Sequence, residues 1–564
     1  MKRLLKRLND FFFPPAGASK WVRILPFAVL GLLTLLLLTA GAYGWEYTNS
    51  SEFCGKTCHT MPPEYTAYES SPHARVECVE CHIGKSFIAT RITRKAGDLK
   101  HVTATIFKNY EYPITAAALR PARETCELCH FPEKFSDDSL RQIQRYQNDI
   151  DNTPYNIYLD LRTGGGSQRQ GLGRGIHWHI ENKISYLPTD PGEQQIPYVR
   201  VENPDGTLQE YTDVDSTLDP STIDKSQLKE MDCITCHNRI SHLVPTPEAT
   251  VDQLLSHGQI SVKIPEIRRK AIEVYSKVYT TTQEGVVGIS GLEDYYQTYY
   301  PEFYAANSQD IKDAIFALQS AYQASVYPEQ KSDWTAHPNN IGHKDSPGCF
   351  RCHDGKHMDS NQKAIRLECN LCHSIPVVAG PYDFVANIEI SRGPEPQSHK
   401  NANWISLHHK VFDTSCSNCH DTKDPGGVSN TSFCSNGACH GNTWTFAGFD
   451  APALRPIIES QLPPTPTPAP LPTGAALSYQ ATIGPLFQAR CGACHGANGI
   501  QGLDLTTYQA AMQGSQNGPV IVSGDPEQSL LVQKQNGSQP HFGQLTLEQL
   551  QLVIDWIKAG APEK

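Results

Sequence analysis

The stretch Ser51–Met61, SEFCGKTCHTM, holds two cysteines, a histidine and a methionine in quick succession. Thiols and imidazoles so spaced can bind zinc, form half of a disulfide framework or attach a c-type haem. The rest of the chain decides between these. All 18 cysteines fall into nine pairs, each with a histidine directly after the second cysteine. The strict C-x-x-C-H form occurs seven times: Cys78/Cys81/His82, Cys126/Cys129/His130, Cys233/Cys236/His237, Cys349/Cys352/His353, Cys369/Cys372/His373, Cys416/Cys419/His420 and Cys491/Cys494/His495. Two wider variants are Cys54-GKT-Cys58-His59 and Cys434-SNGA-Cys439-His440. Zinc sites use paired cysteines but do not require a histidine behind each pair. An extracytoplasmic disulfide framework leaves the histidines equally unexplained. With 22 histidines in 564 residues, nine of nine by chance is negligible. The motifs therefore read as nine attachment sites for haem c, the wide pairs included, because no other cysteine remains to partner theirs.

The chemistry explains the spacing. Each thiol forms a thioether to a haem vinyl carbon, and the next histidine turns a ring nitrogen to the iron as proximal ligand. Extra linker residues can bulge outward without moving the sulfurs. Thirteen histidines lie outside the motifs, enough for bis-His ligation, which lowers potential relative to Met/His. Candidate sixth ligands are His73, His101, His242, His343, His357, His399 and His408, with one of His177 and His179. His257 and His337 read as bystanders.

The formal net charge of −11 argues against nucleic acid as a partner. Apolar content is modest for a chain long enough for three or four domains; the haems would supply the missing apolar mass. No Ser/His/Asp-type constellation is legible, and Gly164-Gly165-Gly166 is no phosphate loop.

These motifs need elements to position them. Ile24–Tyr43 carries no charge, and about twenty helical residues cross a bilayer core of about 30 Å. Lys2, Arg3, Lys6, Arg7, Lys20 and Arg23 precede it, which predicts a cytoplasmic N-terminus and haem domains on the outer, periplasmic side of the inner membrane. The alternative is a cleaved signal peptide ending near Ala40-Gly41-Ala42. Trp45 and Tyr47 suit the interface. The expected organisation is a basic cytoplasmic segment (1–23), a transmembrane helix (24–43), a trihaem region (45–135), a haem-free β-rich insertion (136–232), a pentahaem region (233–460) and a terminal domain (474–564).

Within the insertion, Ile196–Val201 and Thr207–Thr212 flank the turn Asn203-Pro204-Asp205-Gly206. Alternation in Gly175–Ile180 predicts a strand with His177 and His179 on one side. Residues 250–330 read as helical, notably Ile264–Tyr279 and Gln309–Ala324, with Tyr295, Tyr296, Tyr299, Tyr300 and Tyr304 as packing residues. Pro-rich 461–473 is a linker of extended type. After it, a helix over Leu477–Gln488 leads into the last motif, and Thr546–Gln549 opens a capped final helix. That layout over residues 474–564 resembles small all-α monohaem cytochromes c. Such cytochromes usually carry a methionine ligand in the loop before the final helix; here that loop reads GSQPHF, so the resemblance implies His541 as sixth ligand, with Met512 as the alternative.

FCGKTCHTM, then SPHA at Ser71–Ala74, then CVECH at Cys78–His82, resembles the NapC/NirT/NrfH family over residues 20–135. The resemblance implies a multihaem cytochrome c fold, mostly α and irregular, on one N-terminal transmembrane helix. It also implies that Met61 can take the first iron in place of His59, and that Asp98, with Lys95 and Arg91 nearby, lines a quinol pocket. The fourth motif lies about a hundred residues later than that family places it.

The expected function is transfer of electrons from menaquinol or ubiquinol, through the haems, to an extracytoplasmic redox partner protein, with membrane lipid as a further contact. Alternatives are a nitrite- or hydroxylamine-type terminal reductase, disfavoured because no motif ends in lysine, and a relay subunit of a larger respiratory complex.

Overall fold

The computed structural model describes residues 9–15, 17–116, 119–131, 138–165, 175–380, 401–411, 416, 420–429, 431–441, 444–462, 477–492, 495–497, 499–536 and 545–564. The chain divides into two interleaved compact units. The first contains Met1–Phe131, Asn148–Asn152 and Cys233–Asn339; the second contains Pro132–Gln147, Thr153–Asp232 and Asn340–Lys564. This cuts across the expected trihaem and pentahaem regions. The fourth motif belongs with the first three, so the intervening hundred residues are an excursion and not a boundary.

In the first unit, α1 (Lys20–Asn49) is capped by the Ser19 side chain and buries only Pro26 and Asn49. Among the described residues it is the one helix long and apolar enough to cross a membrane. Pro26 lies inside the helix, in its second turn, where it removes one backbone N–H bond to the preceding turn. The helix stops at extended Ser50, whose Oγ then caps Ser51–Lys56, the turn carrying the first motif. α2 (Pro62–Glu69) follows Met61 directly. The second motif is itself a helical turn, Cys78–His82. α3 (Ile88–Gly97) and α4 (Leu99–Phe107) meet at Asp98.

The rest of this unit is a helical cluster: α5 (Pro247–Ser256), α6 (Ile267–Tyr275), α7 (Thr282–Tyr299) and α8 (Pro301–Ser325). The helix expected over Ile264–Tyr279 is shorter, and that expected over Gln309–Ala324 is the later part of α8, beyond a break at Asn307. The core is built from Val251, Ile264, Ile267, Tyr275, Ile289, Tyr296, Leu318 and Tyr322. Gly285 is required by close approach, since a Cβ there would meet the Tyr322 ring at 2.3 Å. Tyr296 is fully buried and its hydroxyl donates to the Pro265 carbonyl, so at that position the tyrosine run packs helices. One ion pair is buried here: Arg268 donates to both Asp252 carboxylate oxygens, at 2.7 and 3.1 Å, and to Asn148 at 2.6 Å.

The second unit carries two antiparallel sheets. β1 (Ser139–Tyr146) pairs with β2 (Pro154–Leu161). β3 (Lys183–Leu187), β4 (Tyr198–Glu202), β5 (Leu208–Asp213) and β6 (Lys229–Glu230) join β7 (His357–Met358), while β8 (Val377–Ala379) completes the first sheet. The orders are β1-β2-β8 and β6-β3-β4-β5-β7. The β4–β5 hairpin forms about its expected turn, with Gly206 at φ 81°. Gly175–Ile180 is not a strand. It forms a turn leading into a helical turn at Trp178–Glu181, because Ile176 N–H donates to the Arg162 carbonyl and Gly175 packs against backbone, where a Cβ would meet that carbonyl at 2.4 Å.

Beyond α9 (Trp404–Val411) and α10 (Leu454–Gln461), the terminal segment has its own core. A π-helical turn (Tyr479–Ile483) runs into α11 (Gly484–Arg490), followed by α12 (Tyr508–Gln513), α13 (Leu530–Asn536) and α14 (Leu547–Lys558). Fully buried Ile483, Phe487, Val553 and Trp556 form the centre. The expected capping box at Thr546 and Gln549 is present. Met512 packs on this core.

Candidate haem centres

Six strict motifs close as one turn, with the N–H of the histidine bonded to the carbonyl of the first cysteine. The distances are 2.9 Å for His130 to Cys126, 2.8 Å for His237 to Cys233, 3.0 Å for His353 to Cys349, 3.4 Å for His373 to Cys369, 2.9 Å for His420 to Cys416 and 2.7 Å for His495 to Cys491. The seventh, Cys78–His82, is the helical turn already described. In the wide pair at Cys434 and Cys439 the same bond runs from His440 to Asn436, at 2.9 Å. The extra residues therefore lie ahead of the turn, and the geometry around the histidine is kept.

The second cysteines of the motifs are placed unequally. Cys58 is half-buried just beyond the turn Ser51–Lys56. Cys129 directly follows the short turn Cys126–Leu128 and is exposed, as is Cys81. Cys236 closes the helical turn Cys233–Cys236 and is half-buried, not enclosed in core. Cys352, by contrast, is buried in the core with Ile184 and Tyr186. Cys419 and Cys494 lie outside the described residues.

Five motif histidines each face a second histidine. The ring centroids are 6.1 Å apart for His130 and His73, 6.2 Å for His82 and His242, 5.6 Å for His353 and His179, 6.3 Å for His373 and His343, and 6.5 Å for His440 and His408. Two imidazole nitrogens, each about 2 Å from one metal, put their ring centroids about 6 Å apart. The spacing therefore fits an iron between each pair.

Proton placement supports the same fit. Nδ1 of His353 donates to the Arg366 carbonyl at 2.5 Å and Nδ1 of His179 to the Ile176 carbonyl at 2.8 Å. Carbonyls only accept, so both Nδ1 atoms carry a proton. Burial lowers the pKa of His179 and, with His179 adjacent, that of His353 to about 4. Both rings are then neutral, with Nε2 lone pairs opposed at 3.4 Å. Only a shared cation or proton makes that arrangement favourable. His373 and His408 are oriented likewise, by the Ser374 and Ile405 carbonyls at 2.6 and 2.5 Å. Desolvation lowers the pKa of His82, His343, His408 and His440. Acceptors behind the ring fix its orientation and tautomer in metal sites.

His242 differs. Its Nδ1 donates to the Glu64 backbone carbonyl at 3.0 Å and lies 3.2 Å from the Glu64 carboxylate. Glu64 is buried, with Arg239 at 3.5 Å and His337 at 3.7 Å on the same carboxylate. Glu64 was not legible as a functional residue, because its partners lie over 170 positions away. His337, read as a bystander, belongs to this cluster.

At the first motif, His59 Nε2 is bonded to the Tyr110 hydroxyl at 2.7 Å. Met61 is half-buried at the start of α2. The Lys95 ammonium bonds to the Asn49 side chain, sits 5.1 Å above the Trp45 ring, and acts electrostatically on Cys54 and Asp98. Burial lowers the Lys95 pKa. Asp98 is exposed at the α3–α4 junction and acts on His82.

Two expected ligands are placed otherwise. His101 is exposed on α4. His357 donates from Nδ1 to Asp354 at 2.9 Å and from Nε2 to the Ile196 carbonyl at 2.6 Å. Both acceptors require a proton, so the ring is a buried imidazolium without a lone pair for iron. This corrects its expected role. Of the GIHWHI pair, His179 meets a motif histidine, whereas His177 Nδ1 donates to the Thr163 carbonyl at 2.6 Å. His399 and His541 lie outside the described residues.

Neighbouring motifs interact through their sulfurs: Cys54 with Cys78 and Cys81 with Cys126 in the first unit; Cys349 with Cys372, Cys369 with Cys439, and Cys416 with Cys434 in the second.

Residues 18–122 match the NapC/NirT cytochrome c family, N-terminal region, and residues 491–540 match the family described as Planctomycete cytochrome C. No solved structure matches the chain. Cytochrome c-type protein NrfH of Wolinella succinogenes is 31% identical over 105 residues, 18% of this chain and 58% of NrfH. Cytochrome c-type protein ImcH of Geobacter sulfurreducens is 36% identical over 404 residues, 71% of this chain and 78% of ImcH. Similarity over that much of both proteins, on top of paired histidines spaced for iron, makes this chain a member of the ImcH family of c-type cytochromes, with a NapC/NirT-type N-terminal region.

Proposed function

We propose that the chain is a membrane-anchored conductor that takes electrons from quinol and delivers them to a redox partner outside the cytoplasm. When bound, haem c supplies reversible one-electron chemistry at iron. The observation that carries the reading is the set of five motif histidines facing His73, His242, His179, His343 and His408 at metal-spanning separation. With both axial positions taken by protein, these centres have no vacancy for a substrate. That favours conduction over a terminal reductase.

The remaining residues take roles around this. The eighteen motif cysteines, exposed Cys129 and half-buried Cys236 included, would hold nine haems by thioether bonds. Tyr110 would keep His59 turned away while Met61 serves the first iron. Asp98 would accept a proton from quinol, with Lys95 steering the ring oxygens. His541 would serve the terminal domain. The electrostatic reach between these sulfurs supports two runs of neighbouring centres: motifs one, two and three in the first unit, and motifs five, six, eight and seven in the second. The basic segment ahead of α1 supports a cytoplasmic N-terminus.

The test is twofold. Pyridine haemochrome analysis of the purified chain should count nine haems. Stopped-flow reduction by a menaquinol analogue should then be fast and sensitive to quinone-site inhibitors. Reduction no faster than that of a chain truncated before the anchor would refute the quinol assignment.

A further inference from the structure

α3 and α4 expose an apolar surface that the paired histidines do not use. Phe87, just before α3, and Phe107, at the end of α4, are 75% and 78% exposed. Ile88 and Ile92 on α3, and Leu99, Val102 and Ile106 on α4, are also exposed and recur at three- and four-residue spacing, one stripe per helix. Polar contacts tie α3 down on two sides, Arg94 opposite the apolar stripe and Lys95 at its edge. Arg94 bonds to the Ile83 carbonyl and the Glu124 carboxylate, at 2.8 and 2.9 Å. Lys95 bonds to Asn49 and covers Trp45.

Those last contacts set the height of the surface. Trp45 and Asn49 lie just beyond the apolar run of α1, where a spanning helix leaves the hydrocarbon. α3 is therefore anchored at the bilayer boundary. Charge agrees: from Lys85 to Lys108 there are six basic residues and a single acidic one, Asp98. An amphipathic, basic helix pair beside a membrane exit fits insertion among lipid headgroups, with apolar side chains reaching the acyl boundary.

We propose that α3 and α4 form a second membrane contact, dipping the apolar side chains of residues 87–107 into the leaflet where α1 emerges. The occupant of this surface is lipid. The arrangement rests on α1 being a span and would hold Asp98 at the lipid boundary, where an apolar quinol arrives without crossing water.

The full-length, haem-loaded chain is reconstituted in vesicles of phosphatidylethanolamine and phosphatidylglycerol. A photoreactive amino acid is placed, in separate preparations, at Leu33 in α1, at Phe107, and at Val278, which is 97% exposed and remote from α1 in sequence. After irradiation, adducts are identified by mass spectrometry. Lipid adducts are expected at Leu33 and Phe107 and not at Val278. With I92D and I106D introduced together, the Phe107 adduct should fall to the Val278 level while Soret absorbance per chain is unchanged. Lipid at Leu33 but none at Phe107 would overturn the proposal and leave the span standing. An adduct from Phe107 to a second copy of the chain would also overturn it. No lipid at Leu33 would remove the span reading itself, and this surface with it. None of these outcomes depends on quinol turnover.

Discussion

The Glu64 carboxylate lies 3.2 Å from Nδ1 of His242, whereas His179, His353, His373 and His408 direct Nδ1 only at backbone carbonyls. A carboxylate acceptor makes the imidazole a stronger donor to metal and favours the ferric state. With His242 on the second iron, as proposed, this would set that centre apart from its neighbours. E64Q should raise its potential, by about 60 mV for each tenfold loss of ferric preference. Potentiometric titration with EPR detection checks this, and E64D should restore part of the shift.

His179 and His353 oppose their Nε2 atoms at 3.4 Å. Removing one partner should open the fifth motif's iron. H179A is expected to keep its haem, held by Cys349 and Cys352, and to gain a high-spin ferric EPR signal that the parent lacks. A spectrum identical to the parent's would show that His179 is not a ligand.

Asp98 is exposed yet within electrostatic reach of His82 and Lys95. As a general base, its loss should slow quinol oxidation by about 10²- to 10⁴-fold. D98N should leave haem content and the rate of reduction by dithionite unchanged. Stopped-flow reduction by quinol, set against reduction by dithionite, separates the two effects.

The Arg268–Asp252 pair is buried and bidentate. Removing one partner strands a charge in the core, which costs about 3–5 kcal/mol. D252A should lower the thermal transition of the helical cluster and increase its proteolysis, with potentials little changed in the surviving folded fraction.

Burial opposes the charge on His357, but its bond to Asp354 outweighs this and its pKa is raised. A group whose folded pKa exceeds its unfolded value stabilises below the unfolded value, about 6.5, and loses that contribution as pH rises through the folded pKa. The His357 contribution to the second unit should fall from acid toward alkaline pH, opposite in sign to those of His179, His343, His353, His408 and His440, whose pKa values burial lowers. The stability difference between the parent and H357Q, measured by denaturant unfolding at a series of pH values, should therefore shrink as pH rises.

The cytochrome c character of the motifs and the long apolar helix were legible because their signals are local: two cysteines and a histidine occupy one turn, and an uncharged run sets a helix length. The β4–β5 hairpin and the Thr546 capping box were legible for the same reason. What the sequence hid is contact at a distance. Alternation in GIHWHI predicted a strand, and a backbone bond to Arg162 overrode it. Glu64 reads as an ordinary surface acid in PPEY until the chain brings His242 to it. His357 has the spacing of a ligand, but its proton acceptors decide otherwise. Cys129 and Cys352 hold the same place in identical motifs, yet one is open to solvent and the other lies in core, because exposure depends on what packs over the turn.

Cys439 of the eighth motif is within electrostatic reach of Cys369 of the sixth, and Cys434 of Cys416 of the seventh. A chain made N-terminus first delivers Cys416 before Cys434. Under the proposed function, haem attachment at the seventh motif would then come before its electrostatic neighbour has arrived, and a chain halted between the two would carry the seventh haem without the eighth.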